Sequence, residues 1–414
     1  MWDAERRSVT ASGNVKIISE GRHLSGDTLS LNLDTESGEL LPVRGEYHNI
    51  FLEAERIEIL PDRISAHDAK ITTCDQHRPH YQIAARKVDI YLLRADRQPT
   101  PERLEARGAG LIFHGRRLLS LPPLRMSLKE GEESERSLPL PYPGYSGPDG
   151  PFIAYRWSDP RPENKFNLDL ECRATSRRGT RAAAYARYYL ENGDLLQLTL
   201  SRREDLSDRY IGPRGVNTDL EEVLVSRQPE LSLRTAPRTV TPALRWDSQV
   251  SIGHYRERPT GVSADRAAIT GQVHLGPFPL ERRLSLMAAT AYRFSYYGDG
   301  TDSGVFYNRL TLTMSPSQSS DFSISLVTRE RSGSTPFLFD DVDLSRELTG
   351  ETRFALGNRW QVKLLDRYDL QQNRTRDAGI ELRYRAHCLD YTVGWRENRD
   401  LFQFGVSVVM PPGG

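Results

Sequence analysis

Phe402-Gln403-Phe404-Gly405-Val406-Ser407-Val408 alternates bulky apolar residues with small or polar ones, the period of a strand whose two faces meet different surroundings. The same dyad runs upstream through Leu196/Leu198/Leu200, Leu284/Leu286, Leu310/Leu312/Met314, Phe322/Ile324/Leu326, Val362/Leu364 and Ile380/Leu382/Tyr384. Leu168, Leu170 and Cys172 likewise alternate with Asn167, Asp169 and Glu171. These segments approach the ~9–11 residues that a tilted strand needs to cross a bilayer, and about 14 to 16 of them follow Phe152. Tyr185, Tyr188, Tyr189, Tyr292, Tyr296, Tyr297 and Trp395 fall near segment ends, as aromatic girdles do at the two interfaces. A soluble β-sandwich or propeller shares the alternation and is the alternative architecture.

Composition fits a barrel. Mean hydropathy is −0.58, and no run approaches the ~20 apolar residues of a spanning helix. A barrel averages out as hydrophilic because lumen-facing residues alternate with lipid-facing ones. The 56 basic residues balance the 56 acidic ones among 414, so no net field argues for nucleic acid. Met1-Trp2-Asp3-Ala4-Glu5 opens without the charged start and apolar core of a signal peptide, so export is inferred with the leader absent from this chain.

Residues 8–95 read instead as short strands, including Asn14–Ile18, Thr28–Leu33, Ile50–Leu52, Arg56–Leu60 and Tyr81–Ala85. Ser12-Gly13-Asn14, Ser25-Gly26-Asp27 and Ser37-Gly38-Glu39 recur about every 12 residues as turns between them. Proline and glycine then crowd residues 121–150, with an acidic run over 130–135, and this segment is expected to sustain no ladder. The chain thus divides into an N-terminal β-domain (1–120), a linker (121–150) and a barrel (151–414).

Candidate chemistry is sparse. Cys74, His77 and His80 have ligand-like spacing for zinc, but no second Cys/His pair lies near in sequence and the stretch reads as a solvated loop. Asp340-Asp341 and Glu221-Glu222 read as solvated loop faces. No G-x-S-x-G, H-E-x-x-H or phosphate-binding loop occurs. The expectation is a non-enzymatic protein without cofactor, metal or catalytic residues; an outer-membrane hydrolase is the remaining catalytic reading.

Several local patterns together resemble the lipopolysaccharide-assembly protein family, also called organic-solvent-tolerance proteins. Ala11-Ser12-Gly13-Asn14-Val15 and Leu24-Ser25-Gly26-Asp27 resemble the opening repeat of its periplasmic β-jellyroll. Ala66-x-x-Ala69-x-Ile71-Thr72-Thr73-Cys74-Asp75, Pro79-His80-Tyr81 and Ala109-Gly110-Leu111-Ile112-Phe113 resemble the junction between jellyroll and barrel. Arg117 stands where the family favours proline. Arg227-Gln228-Pro229-Glu230-Leu231 resembles a mid-barrel strand start, and Leu382–Leu389 with Phe402–Val408 resemble the last strands.

The resemblance implies an all-β protein: an N-terminal periplasmic β-jellyroll followed by an antiparallel transmembrane β-barrel in the outer membrane of a Gram-negative cell envelope. It implies lipopolysaccharide transport and assembly, the lipid passing from a periplasmic bridge protein of the same jellyroll type, with a lipoprotein plug in the barrel as a further partner. Acyl chains would follow a groove lined by Ile17, Leu29, Leu31, Leu33, Phe51, Ile57 and Ile59. They would leave through a lateral gate flanked by Pro151, Pro160, Pro162, Phe402 and Phe404, since proline removes ladder donors. By resemblance Cys74 pairs with Cys388, worth of order 4–5 kcal/mol for so long a loop, and Cys172 stays free. The runner-up is a porin-like or structural barrel whose N-terminal domain binds periplasmic partners.

Overall fold

The computed structural model describes residues 2–3, 7–19, 22–47, 50–95, 98–127, 141–161, 165–205, 223–258, 260–317, 319–342, 344–397 and 401–408. Two sheets account for nearly all of them.

The N-terminal sheet has 13 antiparallel strands. Its main path runs through 2–3, 8–19, 22–32, 37–41, 56–59, 63–72, 81–95, 98–107 and 124–127. A second route also links Arg22–Asn32 to Arg63–Thr72, through Val43–Tyr47 and Ile50–Ala54. The ladder therefore closes on itself over six strands, and Leu40, Val43, Ala54, Ile57 and Ala66 are buried in the resulting core. None of the three expected turns is one: Ser37-Gly38-Glu39 opens the strand Ser37–Leu41, just after the turn at 33–36. Gly13 (φ +82°) and Asn14 (φ +54°) form a bulge inside Ser8–Ser19, where the register shifts between Ser12 and Val15. Ser25-Gly26-Asp27 lies within an unbroken strand. Gly26 is small for contact, since a Cβ there would sit 2.6 Å from the Pro42 carbonyl oxygen. Local glycine chemistry suggested a reversal where the fold uses twist and close approach.

The second sheet is a closed antiparallel barrel from Tyr142 to Val408. Its 18 strand segments include the two-residue 204–205 and the four-residue 238–241, which extend neighbouring strands and are bypassed by direct pairings. Sixteen strands remain in the wall. The apolar dyads point outward and meet in rows: Leu198 opposite Leu231, Leu231 opposite Ile252, and Leu310 opposite Leu326, itself opposite Leu348. All six are well exposed, Ile252 to 59%. Thr199, Ser201, Ser232 and Ser251, of opposite parity, are buried inside. A continuous apolar outer belt over a polar interior suits hydrocarbon outside. Tyr188, Trp246 and Trp360 stand outward near one rim, Tyr292, Tyr296 and Trp395 near the other, while Tyr189 has the inward parity of Tyr185 at an exposed strand end. Tyr185 and Tyr297, expected in these girdles, point inward and are buried.

The expected linker is shorter than its proline content suggested. Leu124–Ser127 pairs with Arg103–Ala106, and Tyr142–Ser146 is the first barrel strand; residues 128–140 lie outside the described residues. The linker's prolines sit where no ladder donor is needed, Pro122 and Pro123 before a strand and Pro143 on a thinly paired edge.

Connections differ between the two rims. At one, several are of two or three residues, as at 282–283, 318–319, 357–359 and 387–388; at the other, one spans 334–345. The N-terminal sheet packs at the short-turn rim. Arg125 pairs with Asp159, the Trp157 indole donates to the Pro123 carbonyl at 3.0 Å, and Cys388 and Leu389 join the N-terminal core.

Candidate functional site: junction, seam and lumen

Three features could serve passage of a molecule. At the junction, the Thr-Thr-Cys turn between Arg63–Thr72 and Tyr81–Ala95 is locked by side chains. The Thr72 hydroxyl donates to the Tyr81 carbonyl at 2.6 Å and accepts the Cys74 N–H at 3.1 Å. The Thr73 and Tyr81 hydroxyls lie 2.5 Å apart. Cys74 is thereby buried, and the barrel turn 387–388 brings Cys388 beside it. The structure brings the two expected partners side by side without a sulfur–sulfur bond: both thiols are free, and each sulfur contacts the same His80 Nδ1, at 3.3 and 3.5 Å. Burial and the adjoining Cys74 sulfur push the Cys388 thiol up to about 12. Cys172 is free and exposed on the outer wall. His77 is exposed and stands apart from this group; of the stretch 67–80 read as a solvated loop, only 75–78 is exposed loop, since 67–72 lies in a strand, Cys74 is buried and His80 half-buried.

Burial pushes the Tyr81 phenol up to about 12, against the lowering contributed by Thr73. A group whose folded value lies above its ordinary 10 stabilises the fold below pH 10 and loses that contribution as pH rises through 12. The N-terminal sheet should weaken by about 3 kcal/mol over that window. Near-ultraviolet circular dichroism against pH checks this, and Tyr81→Phe should remove the tyrosine's share of the alkaline loss, leaving that of the Cys388 thiol.

The seam is the second feature. The first barrel strand meets the last over three residue pairs, Gly144–Gly405, Tyr145–Phe404 and Ser146–Gln403. On either side of the seam, Leu389–Arg396 pairs with Leu401–Val408 over eight residues and Tyr142–Ser146 with the second strand over five. Gly147 donates to the Phe402 carbonyl at 2.9 Å, so positions 145 and 143 face the same neighbour. Pro143 has no N–H to give, and the pairing stops one residue before it. The expected gate prolines lie elsewhere: Pro151 sits on the second strand opposite Tyr145, and Pro160 on that same strand opposite Asn167. They miss the seam because the barrel starts one strand earlier than the proline-rich reading allowed. Pro162 lies outside the described residues. Phe402 and Phe404 are on the seam strand and face outward, Phe402 against the Tyr145 ring.

Of the groove candidates, Ile57 is fully buried. Ile17, Leu29 and Ile59 are half-buried and pack on the core. Leu31 and Phe51 are half-buried outside that cluster, and Leu33 is exposed beyond its strand end. The apolar face is thus covered at its centre and half-covered toward Ser8–Ser19. At the opposite end Tyr391 and Val406, on the two strands that finish the barrel, pack on the same core.

The lumen is the third feature, and it is filled with paired charge. In Arg227-Gln228-Pro229-Glu230, positions 227 and 230 would face opposite sides of a regular strand. A register shift between them turns both inward. Arg227 binds Glu204 at 2.5 Å and Glu230 at 3.0 Å, Tyr185 donates to Glu204 at 2.8 Å, and Tyr255 donates to Glu230. Nearby, Glu347 joins Arg329 and Arg367.

The long loop 334–345 folds into this interior. Its short 3-10 turn, Leu338–Asp340, is held by Glu257, which accepts the N–H groups of Leu338 and Phe339 at 3.0 and 2.7 Å. Asp340 is 1% exposed, accepts from Tyr297 at 2.7 Å and binds Arg266 and Arg293 at 3.1 and 3.2 Å. Phe337 and Phe339 stack among Tyr255 and Tyr297. Asp340 is therefore an anchor, contrary to its reading as a solvated loop face. Its neighbour Asp341 is half-exposed, pairing with Arg331, and Glu221-Glu222 lies outside the described residues. Nothing local marks Asp340, whose partners come from strands some 50 to 75 positions away.

No family model and no curated protein sequence matches the chain. Among solved structures, a Rhodopseudomonas blastica porin triple mutant is 11% identical, over 65% of this chain and 97% of that one, with a TM-score of 0.32. BamA from Haemophilus ducreyi lacking POTRA domains 1–3 is 8% identical over 78% of this chain and 75% of that one, with a TM-score of 0.41.

Proposed function

We propose that the chain is an outer-membrane β-barrel that delivers lipopolysaccharide, its N-terminal sheet serving as a periplasmic jellyroll carrier. The observation that carries this reading is the unbroken apolar core from the half-covered face at Ile17 and Leu29 to Tyr391 and Val406, beside the three-pair seam. Acyl chains need apolar contact throughout, because each buried methylene is worth about 0.8 kcal/mol. A path ending on the outer wall next to a weak seam supplies it, while the charged lumen suits the sugar and phosphate portion. Short turns mark the periplasmic rim of such barrels, and the N-terminal sheet packs at that rim. The outer strand Ser8–Ser19, paired with 2–3 only at Ser8 and Val9 among the described residues, offers an edge for a bridge protein of the same type. A lipoprotein plug would enter a lumen already narrowed by the loop 334–345.

Photocrosslinking residues at Leu29 and Leu31, in Gram-negative cells producing the full chain, test the carrier role. Both positions should capture lipopolysaccharide, whereas the fully buried Ile57 should not. Absence of lipid at Leu29 and Leu31 would leave the porin-like reading, which the inward-folded loop favours, as the better account.

A further inference from the structure

We propose that Ser263, His254 and Asp265 form a serine-hydrolase triad on the outer wall of the barrel that cleaves the acyl ester of a membrane lipid. This goes beyond the transport reading and does not depend on it. In the ladder between Leu244–Arg258 and Ser263–Glu281, His254 stands directly opposite Asp265 and Arg256 opposite Ser263. All four share the outward parity of Ile252 and Ile269, which are 59% and 52% exposed. One imidazole joins the other two side chains through different nitrogens: Nδ1 lies 2.8 Å from the Asp265 carboxylate and Nε2 2.9 Å from the Ser263 hydroxyl. A carboxylate only accepts, so it keeps the proton on Nδ1 and leaves the Nε2 lone pair toward the hydroxyl. Nucleophile, base and orienting acid thus stand in the order that defines such a triad by geometry on any fold. Spread over two strands, they leave no sequence motif.

The surroundings suit an ester carried by a lipid. Below the site the same face runs into the apolar belt, through Ile252 and Ala267 to Val250 and Ile269, with the girdle residue Tyr296 beside Ala267. The triad takes the next outward positions above that girdle, at the rim that carries the loop 334–345, where acyl chains end and head groups begin. An acyl chain lying along the belt brings its ester to Ser263. The turn before Ser263 is fixed, since the Val262 carbonyl accepts the Glu257 N–H at 2.8 Å and the Gly261 N–H donates to the Glu257 carbonyl at 3.1 Å; the nucleophile therefore sits on a rigid hairpin. Arg256, exposed and across from Ser263, offers a guanidinium to the charge that develops on the carbonyl oxygen. Ser263 Oγ attacks the ester carbon while His254 Nε2 takes the hydroxyl proton; the bond to the alcohol oxygen then breaks, and the alcohol leaves with that proton. Water repeats the exchange on the acyl-serine, releasing fatty acid and restoring Ser263.

The test uses the full chain refolded from inclusion bodies in detergent, with barrel folding followed by heat-modifiable electrophoretic mobility. A long-chain fluorophosphonate should label the folded chain at Ser263. Fatty acid should be released from phosphatidylcholine or from lipopolysaccharide in mixed micelles, and the arm that responds names the lipid that supplies the ester. Ser263→Ala and His254→Ala should each lower kcat by at least roughly a hundredfold, the lower end for losing a positioned acid–base group, with KM little changed. Ser251→Ala, which removes a lumenal hydroxyl from the strand of His254, should leave kcat as it is. A folded, unsubstituted chain that neither takes the fluorophosphonate nor frees fatty acid from either lipid overturns the proposal. So does release that survives Ser263→Ala, or a label found on another residue.

Discussion

Oxidising a cysteine pair placed at Ser146 and Gln403 should arrest lipopolysaccharide delivery to the cell surface, and reduction should restore it. These residues face each other across the seam. Since Gly147 and Phe402 form a hydrogen-bonded pair, positions 146 and 403 are the adjacent non-hydrogen-bonded pair, whose Cα atoms approach to about 4.5 Å. That lies at the lower limit of disulfide geometry. Ser146 is buried toward the lumen, so the bridge leaves the outer belt intact. Opening the seam requires breaking three residue pairs; a covalent bond across it makes opening impossible on any biological timescale. The expected effect is near-complete loss of surface lipopolysaccharide, read by surface labelling, with a control pair at Thr311 and Ser325 without effect, because these face each other across two wall strands away from the seam, their hydroxyls 2.9 Å apart. Undiminished delivery through a demonstrably locked seam would remove the lateral route.

Asp340→Ala should release the inward loop and raise single-channel conductance in planar bilayers at least twofold. Asp340 compensates both Arg266 and Arg293, each nearly fully buried. Removing it leaves two guanidinium groups facing one site with no counter-charge, a change costing about 3–5 kcal/mol for a buried pair. The loop gives up that amount while bound but not when free, so its population shifts outward by two or more orders of magnitude. Phe337 and Phe339 then leave the pocket made by Tyr255 and Tyr297, and the loop becomes open to protease. Glu257→Gln keeps an acceptor oxygen for only one of the Leu338 and Phe339 N–H groups but leaves the Asp340 ion pairs in place, and should have the smaller effect. Conductance and protease resistance unchanged in Asp340→Ala would show that the aromatic contacts alone hold the loop.

The structural features differ in how far they were legible. Leu198, Leu310, Ile324 and Phe404 were readable as one face because their surroundings repeat every second residue. Tyr185 and Tyr297 were misassigned because an aromatic near a strand end looks the same whether it faces lipid or lumen. Pro143 was overlooked as the seam's limit because proline content alone does not say which strand comes first. Arg227 and Glu230 stand out only as a motif; that both face inward depends on a bulge opposite Gly253 and Tyr255.

The alternation in the chain by itself determined an all-β protein whose strands carry one apolar and one polar face, as those of a barrel wall do, because on a strand the side-chain period is 2 and the surroundings of each face dictate residue type. Only the tertiary structure decided what that wall contains: Asp340 between two arginines, a seam of three pairs, and Cys74 and Cys388 on one imidazole. Each depends on which distant strands become neighbours. That is set by the closure of the whole barrel and its docking to the N-terminal sheet, which no local window of residues encodes.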